Sequence, residues 1–337
     1  MAVRKNKTKQ LIPALILGLF ANVLLNTRTG YWSRPGMLTA LLAIILLGCV
    51  GWLFLLAWRQ VGRLKLVRMV FAAVLLASAA LEVLRLSNLY KTVYPGATTL
   101  LGICLTVILP AVYLRRASSL SQTGNVVLAL VFAAGILLTI SIGGRLRLTN
   151  LQLPPFTVQE CATSFRAQIT LYPEYLLPAL WYAQDKDRAT VNFKVAGWAV
   201  AFGVSVNLLL ELFFGVGLPG METPVHAAAR CGAISIFNRL EWMQLVLWTM
   251  AIVVKLALYL YAMIELTCPA GSEQEQTVPL PAVAGYLAAV ALLAALVQRL
   301  AKTDLATLQN NVIWLLAVLT IVGGGIQCMI QKRRRVC

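Results

Sequence analysis

Polar chemistry is scarce in this chain. One histidine, twelve acidic residues and a charged fraction of 12% across 337 residues offer no set for acid–base or nucleophilic catalysis. No HExxH, GxSxG or phosphate-binding glycine loop occurs, so the chain is not expected to be an enzyme. Seven cysteines, at positions 49, 104, 161, 231, 268, 328 and 337, form no CxxC and no Cys/His pairing. Neither a metal site nor another cofactor is therefore expected. The single histidine, His226, falls between apolar runs and reads as a solvated loop residue.

What the chain has instead is hydrocarbon. It is 60% apolar with a mean hydropathy of +0.80, more than a water-soluble fold can cover with polar surface. A net charge of +17 raises the question of nucleic acid, but the basic residues sit in short clusters between apolar runs, the pattern of loops that flank membrane spans. Membrane lipid is thus the expected surrounding, and nucleic acid is not an expected partner. The basic start, MAVRKNKTKQ, leads into an apolar run with no small-residue cleavage site, so no removable signal is expected.

Apolar runs and their boundaries predict an all-α integral membrane protein with ten spans: Leu11–Leu25, Met37–Trp58, Met69–Leu86, Thr98–Leu114, Val126–Ile142, Thr163–Trp181, Val195–Val216, Met243–Ile264, Val278–Leu300 and Val312–Met329. With both termini cytoplasmic, seventeen basic residues fall inside and eleven outside, with Lys255 left in the membrane. GGRLRLTNLQLPPFTVQEC, with its Pro-Pro pair, reads as an extracytoplasmic loop, and PVHAAARCGAISIFNRLE as a short amphipathic helix on the same face. Cys161 and Cys231 fall on that face; free thiols are the expected state, although a disulfide between them is geometrically conceivable. Trp32, Trp58, Trp181 and Trp242 fit an interfacial aromatic belt, and Gly323, Gly324 and Gly325 fit close helix contact. Asn207 and Glu211, one turn apart, either line a cavity mouth or bond within the bundle, with the second favoured. Glu82 and Arg85, three apart, read as a local pair near the membrane interface.

Two residues stand out. Lys255 lies in the middle of EWMQLVLWTMAIVVKLALYLYA, where an ammonium costs roughly 2.5–3.5 kcal/mol unless it faces protein, water or a counter-charge. Glu174 lies at a similar depth in the sixth span, TSFRAQITLYPEYLLPALW, between Pro173 and Pro178. Proline removes a helix hydrogen bond, so this span should be kinked or broken, and a broken helix at membrane depth is tolerated where it lines a cavity. A Lys255–Glu174 pair would offset the burial of both charges; the plainer alternative is that such a pair only fixes helix packing.

Arg239, Glu241, Lys255 and the run Leu258-Tyr259-Leu260-Tyr261 resemble the eighth segment of the spore germination B-subunit (GerAB-type) family. Glu174, Leu176, Leu177, Pro178, Asp185 and Lys186 resemble that family's sixth segment. The likeness is strongest in the C-terminal half. In the first span Gly18, Phe20 and Asn22 are followed by Leu24, Leu25 and Asn26, where the family has a Leu-Pro-Gly-like break. The resemblance implies a fold similar to amino acid/polyamine/cation permeases: one transmembrane domain over 1–337, built as two inverted five-helix repeats, 1–150 and 151–337, each with an interrupted first helix. It further implies a nutrient-sensing subunit that binds an amino acid and triggers germination with A-type and C-type receptor subunits, in the spore inner membrane or bacterial cell membrane. The candidate ligand-binding or switch residues are Gly18, Asn22, Tyr172, Pro173, Glu174, Lys255 and Tyr259. A secondary transporter of an amino acid or amine would use the same cavity.

Overall fold

The computed structural model describes residues 11–26, 31–32, 36–93, 100–114, 116–151, 157–183, 188–221, 223–232, 240–267, 279–300 and 305–336. Every regular element among them is helical: α1 (Ile12–Leu24), α2 (Gly36–Val61), α3 (Lys65–Val93), α4 (Leu100–Tyr113), α5 (Ala117–Ile142), α6 (Val158–Gln168), α7 (Pro173–Leu176), α8 (Pro178–Tyr182), α9 (Arg188–Phe214), α10 (Pro224–Cys231), α11 (Glu241–Thr267), α12 (Leu280–Leu300) and α13 (Leu305–Val336). Seven of these, α2, α3, α5, α9, α11, α12 and α13, are long and apolar enough to cross a membrane. They match seven of the ten expected spans. The other three fall on α1, with 13 residues, on α4, with 14 and an internal Pro110, and on the segment α6–α8.

Apolar side chains face outward as well as inward. Leu42, Ile45 and Leu53 of α2, Ile136 and Ile140 of α5, Leu292 of α12 and Leu319 of α13 are all exposed, while glutamate, lysine and asparagine lie at the centre. Such a distribution suits a bilayer, which solvates aliphatic groups and leaves polar groups to find partners within the protein. The protein is thus a helical membrane protein. Its axis is α11, the most enclosed of the long helices, which packs against α1, α3, α4, α5 and α10. Outside this, α2 packs along α9 and α13.

Span six is interrupted, as its prolines predict. α6 ends at Gln168, and the chain runs irregularly through Ile169 to an extended Tyr172 (φ −97°, ψ 150°) before α7 starts at Pro173. The pre-proline restriction on Tyr172 explains the geometry, and Pro173 sits at the first helical position, where its missing N–H costs nothing. Pro178 is different: Leu177 before it keeps helical angles (φ −56°, ψ −34°), so α7 runs into α8 with little disturbance. At the break, the Leu171 N–H donates to Asn310 Oδ1 of α13 at 2.9 Å. α1 contrasts with this, because it is unbroken through Gly18 and ends only at Leu24.

Some local expectations need correction and others hold. α6 starts at Val158, inside the stretch expected to be a loop, because Thr157 and Glu160 form a capping box. Trp32 and Trp58 are not belt residues: both are buried, Trp32 donating to the Asn26 carbonyl at 2.7 Å and Trp58 stacking with Phe54. Trp242, 54% exposed, does suit an interface. Glu211 belongs to packing, since its Oε1 accepts from the Met37 N–H at the start of α2 at 2.8 Å. Cys161 and Cys231 are free thiols. Arg239, Asp185 and Lys186 lie outside the described residues.

Of the three glycines in α13, Gly324 is the one at a close crossing: a Cβ there would meet Ala57 Cβ of α2 at 2.6 Å, whereas one at Gly325 would meet nothing within 4 Å. Gly324→Ala is therefore expected to lower stability by about 1–3 kcal/mol through overpacking, while Gly325→Ala raises it by up to about 1 kcal/mol through helix propensity. Thermal unfolding of the two variants in one detergent checks the opposite signs.

Candidate functional site

The centre of the bundle holds four charges in contact. Lys255 on α11, 0% exposed, places its Nζ 2.9 Å from Glu82 Oε1 of α3 and 3.2 Å from Glu174 Oε1 of α7. It also donates to Asn22 Oδ1 of α1. Asn22 Nδ2 donates in turn to Glu174 Oε2 at 3.1 Å, and the Tyr259 hydroxyl donates to Glu174 Oε1 at 2.6 Å. Arg85, one turn from Glu82, reaches Glu82 Oε1 at 2.7 Å. Two carboxylates therefore face two cations, and the group is formally neutral.

Each side chain arrives for a local reason. Lys255 and Tyr259 are one turn apart and share a face of α11. Glu174 is carried into place by the break before Pro173, which turns the first residues of α7 toward α1. Gly18 provides the room: a Cβ there would stand 2.9 Å from Glu174 Cγ, so the unbroken α1 can approach the carboxylate only without a side chain. Tyr172 lies alongside, its ring 5.7 Å from both Lys255 Nζ and the Arg85 guanidinium, with its hydroxyl accepting from Asn26 Nδ2 at 3.0 Å. A second layer runs outward: Arg85 Nη2 donates to Gln309 Oε1 at 3.4 Å, and Gln309 Nε2 to Ser78 Oγ at 2.9 Å, tying α3 to α13.

The expected set is thus brought together. Asn22, Glu174 and Lys255 contact one another in a closed set with Tyr259 bonded to Glu174, Tyr172 and Gly18 flank it, and Pro173 sets the bend. Glu82 was misread as an interfacial residue: it is 1% exposed and accepts from Lys255. The signal lay in its place at depth in an apolar helix, but Arg85 supplied a sufficient local partner. Glu82 Oε2 is buried with no hydrogen-bond partner among the described residues, the one spare acceptor in the cluster.

Lys255, Glu174 and Tyr259 at the heart of the cluster are fully buried. Two clefts open elsewhere, one of about 90 Å³ among α1, α5, α9, α10 and α11 and one of about 360 Å³ among α4, α5 and α11, and neither is lined by a cluster residue. His226 is also away from it, on α10, and is buried instead of solvated. Burial holds its imidazole below the ordinary value of 6.5, against the opposing pull of Glu241 and with Arg230 adding to the depression. Among the described residues no group of three or more His, Cys, Asp or Glu side chains could hold a metal ion.

Set beside known proteins, the chain matches no protein-family model and no curated protein. Its class is therefore defined by its own architecture, a helical membrane protein with a neutral charge cluster at its centre.

Removing one member of such a cluster leaves its partners buried and uncompensated. Lys255→Met is expected to cost about 3–5 kcal/mol of stability, and the double variant Lys255→Met/Glu82→Gln much less than the sum of its parts. A double-mutant cycle in thermal unfolding measures the coupling, and additive losses would contradict the geometry. At His226 the neutral form is the folded one, so its contribution is complete above pH 6.5 and fades as pH falls through the lower folded value. His226→Gln should flatten that acid-side loss in a pH series of melting temperatures.

Proposed function

We propose that this protein is a permease-like sensing subunit of a spore germinant receptor, binding a small nutrient, an amino acid, at the cluster built on Lys255. The observation that carries the reading is a neutral set of two carboxylates and two cations buried at the centre of the bundle, one carboxylate, Glu174, being carried by an interrupted helix. A zwitterion fits such a set by exchange. Its ammonium competes with Lys255 for Glu174 and for the spare oxygen of Glu82, and its carboxylate competes for Lys255 and Arg85. Net charge stays zero throughout, so the exchange avoids the cost of burying an unpaired ion.

Because Lys255 and Glu174 are fully buried against each other in this arrangement, binding favours a second, opened arrangement, and the bias passes to partners by differential affinity. Those partners are A-type and C-type receptor subunits in the spore inner membrane or bacterial cell membrane. The seven long helices, with α1, α4 and the interrupted α6–α8 segment, supply ten crossings, both termini cytoplasmic, in two inverted repeats. The break in span six supports this arrangement, and the resemblance of the sixth and eighth spans supports the receptor role.

Spores lacking the protein, scored against single amino acids beside the parent strain, test the reading. Loss of response to one nutrient is expected, restored by the wild-type chain. Lys255→Ala should fail to restore it even where the protein reaches the membrane, and Glu174→Gln should require at least about tenfold more nutrient, a loss near 1.4 kcal/mol. A normal response in Lys255→Ala overturns the proposal. Accumulation of the nutrient by proteoliposomes would mark the protein as a secondary transporter instead.

A further inference from the structure

Eleven positions before Lys255, and so about 16 Å away along the α11 axis, Gln244 presents the opposite situation. It is 9% exposed and lines the cleft of about 90 Å³ among α1, α5, α9, α10 and α11. Leu24, Phe202, Val225, Met243, Leu247 and Trp248 are among its walls, and no wall residue is charged. Among the described residues neither Oε1 nor Nε2 of Gln244 has a hydrogen-bond partner. An orphaned buried amide destabilises the fold, having given up water without gaining a partner. Leucine would complete the apolar lining without that cost, so a carboxamide here is explained by something that bonds to it.

We propose that this cleft is a binding site for a small neutral amphiphile, a compact apolar body carrying one group that both donates and accepts a hydrogen bond, such as an alcohol or an amide. An ion is excluded because no wall residue could compensate it. Both functions of the carboxamide are unused, so the complement needs a donor and an acceptor together. Size limits the body: a cavity of about 150 Å³ takes benzene, so this smaller cleft suits fewer non-hydrogen atoms than benzene has. On the α5 side Gly135 is exposed and Leu138 half-buried, which gives a mouth toward the bilayer, where neutral amphiphiles concentrate. The site shares no residue with the Lys255 cluster and stands whether or not the nutrient reading holds.

The test uses the full chain in lipid nanodiscs and 3-bromopropan-1-ol, a neutral alcohol whose bromine quenches tryptophan. Saturable quenching is expected in the wild type and its loss in Trp248→Phe. Gln244→Leu should weaken the probe about tenfold, equivalent to 1.4 kcal/mol, and should melt at a higher temperature than the wild type without probe. Circular dichroism and monodisperse elution establish that each variant is folded. Quenching that never saturates, or that is equal in the wild type and Gln244→Leu, overturns the proposal. A further arm replaces the probe with a lipid brominated in its acyl chain: equal quenching of Trp248 by that lipid in wild type and Gln244→Leu, unrelieved by the non-quenching propan-1-ol, would show a lipid tail as the occupant and overturn it too.

Discussion

An ammonium group at the middle of a membrane helix has no solvent to fall back on, and the core of this bundle is organised by what Lys255 needs. It needs acceptors, and the three it has come from three separate elements, Asn22 of α1, Glu82 of α3 and Glu174 of α7. α11 must therefore be enclosed, since an exposed face at that level would put the lysine into hydrocarbon. The close approach of α1 follows in turn, and with it the glycine at position 18, because any side chain there would push Glu174 away from both Asn22 and Lys255.

Neutrality is the second constraint. A lone Lys255–Glu174 pair would satisfy charge but leave Arg85 and Glu82 to balance each other separately. Sharing Glu82 Oε1 between Lys255 and Arg85 joins both pairs into one unit, so moving any member disturbs the rest. Coupled buried networks of this kind are strong when complete and costly when partly broken, which makes intermediate arrangements unfavourable. That property suits a device with two states, since packed cores favour discrete alternatives over gradual deformation.

How much of this was legible in the sequence depended on whether a signal had a competing local explanation. Lys255 and Glu174 were legible because nothing nearby in sequence could compensate either, so a long-range partner was required. Glu82 was not, because Arg85 three residues on offered a sufficient partner, and sequence spacing does not say which face of α3 is turned inward. The break before Pro173 followed from backbone restriction alone, but its position ahead of Pro173 instead of at Pro178 depended on tertiary support, with Asn310 of α13 taking the freed Leu171 N–H. The capping box that starts α6 was present in the letters Thr157 to Glu160 and was masked by the Pro-Pro pair before it. Trp32 shows the limit of position as evidence: at the end of a span it resembled a belt residue, yet its indole N–H braces the Asn26 carbonyl in the core.

The two buried polar residues of α11 together separate stability from function. Lys255 is over-provided, with three acceptors and two flanking rings, and a residue so held is expensive to move. Gln244 is under-provided, with both functions unmet in an apolar cleft, and replacing it would cost the fold nothing. Packing alone explains neither, since an aliphatic side chain could fill the space at either position, although at 255 it would strand the carboxylates of Glu82 and Glu174. On one helix, then, the completed network accounts for how the core is held in register, and the incomplete one marks where the fold accepts a cost that its own packing does not require.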